Sequence, residues 1–265
     1  MLFLLPPSET KAVGGVSLTL EQVALTFSTM NPARDEVAQR LAESSRDETW
    51  AARALKLSPK QIGDRELNYS IYSAPLMPAI DRYTGVLFDA LHGRGLKGSG
   101  TENNRLSPEQ LAVAKKTVFI QSSLFGLISA SDLIPNYRFS ASAKLPGFNL
   151  QQHWAQAHDL IWHRIEHETL IDLRSKAYAA LAPIPERIQS FEVDVWLVRE
   201  DGFREQLNHF NKKAKGQFVR ACIDLELAQG GDQPRDAEWL ATAANNAGLG
   251  FELEGNRISL LTSAI

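Results

Sequence analysis

Residues 191–220 read FEVDVWLVREDGFREQLNHFNKKAKGQFVR, and three parts of this segment predict a strand, a return strand and a basic helix. The run from Phe191 to Val198 alternates apolar and polar residues, which is typical of a half-buried strand. Asp201-Gly202 is a hairpin signal, so residues Phe203 to Leu207 are expected to pair back on that strand. The return strand leads directly into the segment from Asn208 to Arg220.

The segment from Asn208 to Arg220 is the most basic run of the chain. It contains no Asp or Glu, and its four cations are Lys212, Lys213, Lys215 and Arg220. Apolar residues from Phe210 to Leu225 recur at helical spacing and predict a helix. Gly216 lies on one face of this helix with Lys213 and Arg220. A glycine in a helix costs roughly 1 kcal/mol relative to alanine, so it indicates a close approach to the backbone. A bound phosphate and a plain solvated basic face both fit this pattern.

The composition is that of a globular protein with a mild acidic balance. The 265 residues carry a formal net charge of -3, and 44% of them are hydrophobic. This charge argues against a surface that binds polyanions throughout, but it leaves room for a local basic cleft. The one cysteine, Cys222, excludes an intramolecular disulfide and favours the reducing cytoplasm. No run approaches the ~20 apolar residues of a membrane span, so no membrane partner is expected.

Three further strand patterns each end in a small polar loop. The strands are Leu2–Leu5, Val118–Ile120 and Leu170–Leu173, and the loops that follow begin near Ser8, Ser122 and Arg174-Ser175. Ligands of α/β proteins bind at the carboxyl ends of strands. If these strands share one sheet, the loops and the Lys212 helix line a single cleft.

Two segments resemble known functional motifs only superficially. An amphipathic helix is predicted over residues 150–168, and it contains the literal H-x-x-E-H zinc pattern at His163, Glu166 and His167. These residues fall away from the apolar face, whereas a catalytic zinc sits in a shielded cleft with a third ligand. We therefore expect no metal site and no cofactor. Gly93–Gly100 lacks the spacing of a Walker motif and is predicted to be a mobile loop.

Several short motifs follow one another along the chain: Pro7-Ser8-Glu9-Thr10-Lys11, Tyr83-Thr84-Gly85, Ser123-Leu124-Phe125-Gly126-Leu127, Asp132-Leu133-Ile134-Pro135 with Tyr137-Arg138, Trp154, Leu173-Arg174-Ser175 with Tyr178, and Lys212-Lys213-Ala214-Lys215-Gly216. In this order and spacing they resemble the bacterial peroxide-stress protein YaaA family over essentially the whole length. The family commonly has an arginine where Lys215 stands, and lysine cannot make the bidentate contact of arginine. It also commonly has Ser-Gly-Leu-Tyr-Gly at residues 122–126, and a serine and a tyrosine near Asn208 and Phe210.

The resemblance implies an α+β fold, a single compact domain over residues 1–265. A mixed central sheet is flanked by helices, and polar loops converge on a positively charged cleft. It also implies protection against hydrogen peroxide by limiting free iron and oxidative DNA damage, with DNA bound by a helix-hairpin-helix-like element. Ser123–Gly126 and Gly93–Gly100 are the candidate segments for that element. Any effect on iron is expected to be indirect, because no 2-His-1-carboxylate set is visible outside the His163 region.

Two functional hypotheses follow. The first is sequence-nonspecific DNA binding through phosphate contacts. The second is an enzyme that acts on a nucleotide, a nucleobase or another small anion, for which no reaction or catalytic residue is indicated; His209 is a possible acid or base. Both hypotheses use one set of candidate residues: Ser8, Thr10, Lys11, Tyr83, Ser123, Tyr137, Arg138, Arg174, Ser175, Tyr178, Lys212, Lys213, Lys215, Gly216 and Arg220. The sequence is silent on the oligomeric state.

Overall fold

The computed structural model describes residues 1–93, 106–207, 211–230 and 234–263. The strands in these ranges are β1 (Leu2–Leu5), β2 (Met77–Pro78), β3 (Val118–Ser122), β4 (Gly126–Ser129), β5 (Leu133–Ile134), β6 (Leu170–Asp172), β7 (Ser190–Val198), β8 (Arg204–Gln206), β9 (Gly250–Glu254) and β10 (Arg257–Thr262). The α-helices are α1 (Asn31–Ser44), α2 (Glu48–Ala54), α3 (Glu66–Tyr69), α4 (Ala79–Arg82), α5 (Val86–Leu91), α6 (Pro108–Thr117), α7 (Leu150–Asp159), α8 (Lys176–Ala179), α9 (Asn211–Gln229) and α10 (Ala237–Asn246). Short 3-10 helices cover Leu20–Gln22, Ser28–Met30, Pro59–Arg65 and Trp162–Arg164.

Eight of the described strands form one mixed sheet, in the order β4-β3-β1-β6-β7-β10-β9 with β8 beside β7. The five strands β3, β1, β6, β7 and β10 run parallel. β4, β8 and β9 are antiparallel to their neighbours, while β2 and β5 form a separate pair. The carboxyl ends of β1, β3 and β6 therefore lie along the same edge of the sheet. The predicted fold class, a mixed sheet flanked by helices, is confirmed.

Local sequence signals account for most of these boundaries. All four residues of β1 are buried, and Pro6-Pro7 ends the strand because proline has no N–H for the ladder. Ser107 caps α6 through its hydroxyl, which accepts from the Gln110 N–H at 3.3 Å, and Pro108 occupies the first turn. Gly202 has φ +81 in the turn between β7 and β8, as its hairpin signal predicts.

The helix predicted over residues 150–168 is too long, because α7 ends at Asp159. The chain then turns through Trp162–Arg164, and this turn buries Ile161 and Trp162 in the core. Tertiary burial of these two side chains outweighs continuation of the helix. The H-x-x-E-H pattern is thus not carried by one helix. Among the described residues, no group of three His, Cys, Asp or Glu side chains could hold a metal ion.

Helices α5 and α9 pack closely, and Gly216 is the reason they can. A Cβ atom at Gly216 would lie 2.2 Å from the carbonyl oxygen of Leu87 and 2.8 Å from the Cβ of Ala90. The close approach that this glycine indicates is therefore that of a neighbouring helix. Cys222 on α9 is 1% exposed, and burial raises the pKa of its thiol well above the usual range. No helix in the described ranges is long and apolar enough to cross a membrane.

Candidate functional site at the carboxyl edge of the sheet

Lys11 lies at the centre of the loops that follow β1, β3 and β5. Its Nζ donates a hydrogen bond to the carbonyl oxygen of Ser8 at 3.0 Å. The same atom lies 4.1 Å from the centroid of the Tyr137 ring and 5.5 Å from that of Tyr83. The Lys11 backbone also forms an isolated β-bridge with Tyr83. The amine is therefore held against two aromatic faces.

The surroundings of Lys11 disfavour its charged form. Burial, together with the positive charges of Arg138 and Arg82, lowers the pKa of Lys11 to about 7, although Glu9 acts in the opposite direction. An ordinary lysine has a pKa of about 10.4. Near neutral pH about half of the Lys11 amine is therefore unprotonated, and an unprotonated amine can act as a base or a nucleophile.

Three buried hydroxyls form a chain beneath Lys11. The Tyr137 hydroxyl lies 2.8 Å from that of Tyr83 and 2.9 Å from Ser122 Oγ. Ser122 Oγ also accepts the N–H groups of Leu124 and Phe125 at 3.1 and 3.0 Å, so its own proton is directed to Tyr137. Burial raises the pKa of both tyrosines, which keeps them protonated. The chain fixes the rings on which the lysine rests.

The motif around Ser8 packs directly against the Tyr83-Thr84-Gly85 motif. Ser8 Oγ lies 3.2 Å from Thr10 Oγ1, which donates to the Thr84 carbonyl oxygen at 3.2 Å. Gly85 has φ +102, and a Cβ there would lie 3.0 Å from Ser8 Oγ. Two segments that are far apart in the sequence thus form one surface.

A pocket of about 90 Å³ opens beside Lys11 and contains two further cations, Arg138 and Lys56. The other residues that line it are Glu9, Leu55, Phe139 and Ser140. Buried Asn68 fixes the Arg138 backbone, because its Oδ1 accepts from the Arg138 N–H and its Nδ2 donates to the Arg138 carbonyl, both at 2.8 Å. Lys56 has φ +53, a left-handed conformation that costs roughly 1–2 kcal/mol for a residue with a Cβ. This conformation ends α2, because the Leu57 N–H donates to the Ala52 carbonyl oxygen at 3.0 Å, as in a Schellman cap.

Ser123 and Tyr178 lie next to this group. Ser123 Oγ donates to the Phe139 carbonyl oxygen at 3.0 Å. Burial raises the pKa of Tyr178, while hydrogen bonds from the Ala141 backbone and from Ser123 lower it. Ser175 is an exposed residue at the start of α8.

Two predicted phosphate-binding cations, Arg174 and Lys215, are instead buried in the protein. Arg174 donates from Nε and Nη2 to the two carboxylate oxygens of Asp172, each at 2.8 Å, and from Nη1 to the Ala182 carbonyl. Lys215 Nζ donates to the Leu173 carbonyl oxygen at 3.0 Å, and burial lowers its pKa. Both side chains stabilise the end of β6. The Lys215 contact also brings the first turns of α9 to the carboxyl edge of the sheet.

The remaining cations of α9 differ in their surroundings. Lys212 and Lys213 are exposed on the first turn, and within the described residues neither takes part in an ion pair. Arg220 Nε lies 3.1 Å from both carboxylate oxygens of Asp224. A cavity of about 350 Å³ between α5 and α9 is bordered by Lys213 and Arg220 but also by Asp89 and Asp224. That cavity is consequently of mixed charge.

The two segments considered for a helix-hairpin-helix element have different outcomes. Ser123–Gly126 is the tight buried connection between antiparallel strands β3 and β4, so it is not a hairpin between helices. In Gly93–Gly100, residues 94–100 lie outside the described ranges, as do Asn208, His209 and Phe210.

The chain as a whole is similar to known proteins. Residues 1–232 match the family model of "Peroxide stress protein YaaA". The chain belongs to the YaaA family. A UPF0246 protein of Corynebacterium glutamicum (strain R) is 35% identical over 270 residues and covers both chains completely. A UPF0246 protein of Streptomyces coelicolor is 32% identical over 257 residues, which are 96% of this chain and 92% of that protein. The resemblance found from the motifs is thus confirmed, and the YaaA match includes both the Lys11 pocket and the whole of α9.

Proposed function

We propose that this peroxide stress protein binds DNA without sequence preference and so limits oxidative damage driven by free iron. The observation that carries the proposal is the pair of adjacent exposed lysines, Lys212 and Lys213, at the carboxyl edge of the sheet. Lys56 and Arg138 add positive charge at the Lys11 pocket. Contacts from lysine and arginine to phosphates provide affinity that does not depend on base sequence. We place this activity in the cytoplasm.

The proposed effect on iron follows from the electrostatics of DNA. A protein that neutralises phosphates releases the cations condensed on the duplex. Iron(II) bound to DNA is released by the same exchange. The reaction of this iron(II) with peroxide then takes place away from the DNA bases. The proposal does not require the protein itself to bind iron.

Complementation of cells that lack the gene tests this function. The wild-type chain is expected to restore survival under hydrogen peroxide and to lower the number of DNA strand breaks. The double variant Lys212→Glu/Lys213→Glu is expected to fail in both measurements. Lys115→Glu/Lys116→Glu is the matched control, because it makes the same charge change in the last turn of α6. Full protection by the Lys212→Glu/Lys213→Glu variant would contradict the proposal.

A second candidate function is an enzyme that acts on a small anionic substrate, and the environment of Lys11 favours it. A lysine that only neutralises a phosphate needs its charge, whereas burial and two arginines weaken the charge of Lys11. Lys11→Met separates the two candidates. An enzyme loses peroxide protection in this variant while its DNA affinity stays unchanged. A protein that acts only by covering DNA keeps its protection.

A further inference from the structure

The pocket beside Lys11 contains the Lys11 amine and two further basic side chains. Lys11 Nζ rests on the rings of Tyr137 and Tyr83, and the residue also lines the 90 Å³ pocket. Arg138 and Lys56 line the same pocket. Glu9 Oε2 lies 3.9 Å from Arg138 Nη2.

We propose that Lys11 forms an imine with a small aldehyde or ketone that carries an acidic group, and that Arg138 and Lys56 bind the acidic group. The inference rests on the second candidate function, the enzyme, and does not require DNA binding. In this proposal the three basic side chains of the pocket have different roles. Arg138 and Lys56 supply the charge that attracts an anion, and Lys11 supplies a lone pair.

The surroundings of Lys11 support the nucleophilic task. The groups that face it are the two tyrosine rings, the carbonyl oxygens of Ser8 and Glu9, and the charges of Arg138, Arg82 and Glu9. The Arg82 guanidinium donates to the carbonyl oxygens of Gly14, Pro75 and Ile134, so it is fixed in place. Burial and these cations lower the pKa of Lys11 to about 7, which leaves its amine available for addition to a carbonyl.

The reaction is a condensation that needs no oxidant or reductant. The lone pair of Nζ forms a bond to the carbonyl carbon, and the carbonyl π electrons move to oxygen. Oxygen gains a proton and nitrogen loses one, which gives a carbinolamine. The hydroxyl group then takes up a proton and leaves as water while the nitrogen lone pair forms the C=N bond, and the nitrogen gives up its remaining proton.

The pocket limits the size of the substrate. Its volume is only about 90 Å³. The reacting part of the substrate is therefore small, comparable to glyoxylate.

Reductive trapping of the full-length protein tests the inference. The protein is incubated at pH 7 with cyanoborohydride and either glyoxylate or acetaldehyde, and modified lysines are located by peptide mass spectrometry. At this pH the unprotonated fraction of Lys11 exceeds that of an ordinary lysine about a thousandfold. We expect glyoxylate to modify Lys11 at least about tenfold faster than exposed Lys212, and about tenfold faster than acetaldehyde does.

Two variants test the binding of the acidic group. Lys56→Met is expected to slow glyoxylate trapping at Lys11 about tenfold and to leave acetaldehyde trapping within about twofold. Arg138→Met is expected to slow both reactions, and glyoxylate trapping more, because loss of the Arg138 charge also raises the pKa of Lys11. Thermal unfolding verifies that each variant is folded. Equal rates for glyoxylate and acetaldehyde, or modification of Lys212 before Lys11, would overturn the inference. If Lys11 is not trapped but Lys11→Met still abolishes peroxide protection, the imine is wrong and the enzyme hypothesis stands.

Discussion

The Tyr137 hydroxyl lies 2.9 Å from Ser122 Oγ, and the face of the same ring lies 4.1 Å from Lys11 Nζ. One side chain therefore connects the carboxyl end of β3 to the loop that follows β1. The edge of the ring is held by hydroxyls, and its face supports the amine. Changes at Tyr137 can separate these two roles.

Tyr137→Phe is expected to lower the free energy of unfolding by about 1–3 kcal/mol, because it leaves the Tyr83 hydroxyl buried without its partner. The aromatic face remains, so the reactivity of Lys11 towards aldehydes should persist. Tyr137→Leu removes both features and should reduce stability and change the reactivity. Urea unfolding and aldehyde trapping measure the two effects. A Tyr137→Phe protein as stable as wild type would show that the hydroxyl chain is not stabilising.

The low pKa of Lys11 makes stability depend on pH in a defined direction. In the folded protein this pKa is about 7, against about 10.4 for an unfolded chain. Between these values the unfolded state binds more protons, so the free energy of unfolding rises with pH. Wild type should therefore gain stability relative to Lys11→Met as the pH is raised from 7 to 10. Urea unfolding of both proteins across this range measures the gain, and a constant difference would contradict the altered pKa.

The substitution Gly216→Ala has two opposite effects on the stability of the protein. Alanine favours a helix by roughly 1 kcal/mol over glycine. Its Cβ would meet the Leu87 carbonyl oxygen at 2.2 Å, and backbone cannot move away cheaply. Overpacking typically costs about 1–3 kcal/mol, so a net loss of stability and separation of α5 from α9 are expected. Gly63→Ala is the control, since nothing lies within 4 Å of a Cβ there. Equal stability of the two variants in thermal unfolding would rule out the packing role.

Arg174→Met tests whether the Arg174 side chain stabilises the fold rather than binding DNA. The substitution leaves the Asp172 carboxylate buried without the guanidinium that pairs with both of its oxygens. Loss of one partner of such a pair costs about 3–5 kcal/mol. We expect a large fall in unfolding free energy, measured with urea. Under conditions where the variant is folded, its DNA affinity should equal that of wild type. A loss of DNA affinity in the folded variant would show that Arg174 contributes to DNA binding.

Local patterns predicted the parts of this fold that depend on neighbouring residues. The alternation from Phe191 to Val198 and the Asp201-Gly202 turn predicted β7 and its hairpin, and both are present. The convergence of the Ser8 and Ser122 loops also follows from simple geometry, because parallel strands end at one edge. Helix α7 ends early because Trp162 is buried in the core, and the helical spacing of apolar residues in the sequence does not predict this burial.

The composition of the site was less predictable than its position. Lys56 reaches the pocket only through the tertiary fold and a left-handed backbone, and no motif in the sequence marks it. Lys215 and Lys213 look alike in the sequence, yet one is buried against the Leu173 carbonyl and the other is exposed. A charge pattern records the residue type, whereas the direction of the side chain depends on how α9 packs.

DNA affinity measured across a salt series, for duplex and single-stranded DNA, is the first experiment to perform. The slope of log K against log salt is about −0.9 for each duplex phosphate contact. Lys212→Glu/Lys213→Glu should reduce the magnitude of the wild-type slope by about 1.8, whereas Lys115→Glu/Lys116→Glu should leave it unchanged. An absence of binding at low salt, or equal effects of the two double variants, would contradict DNA binding by the first turn of α9.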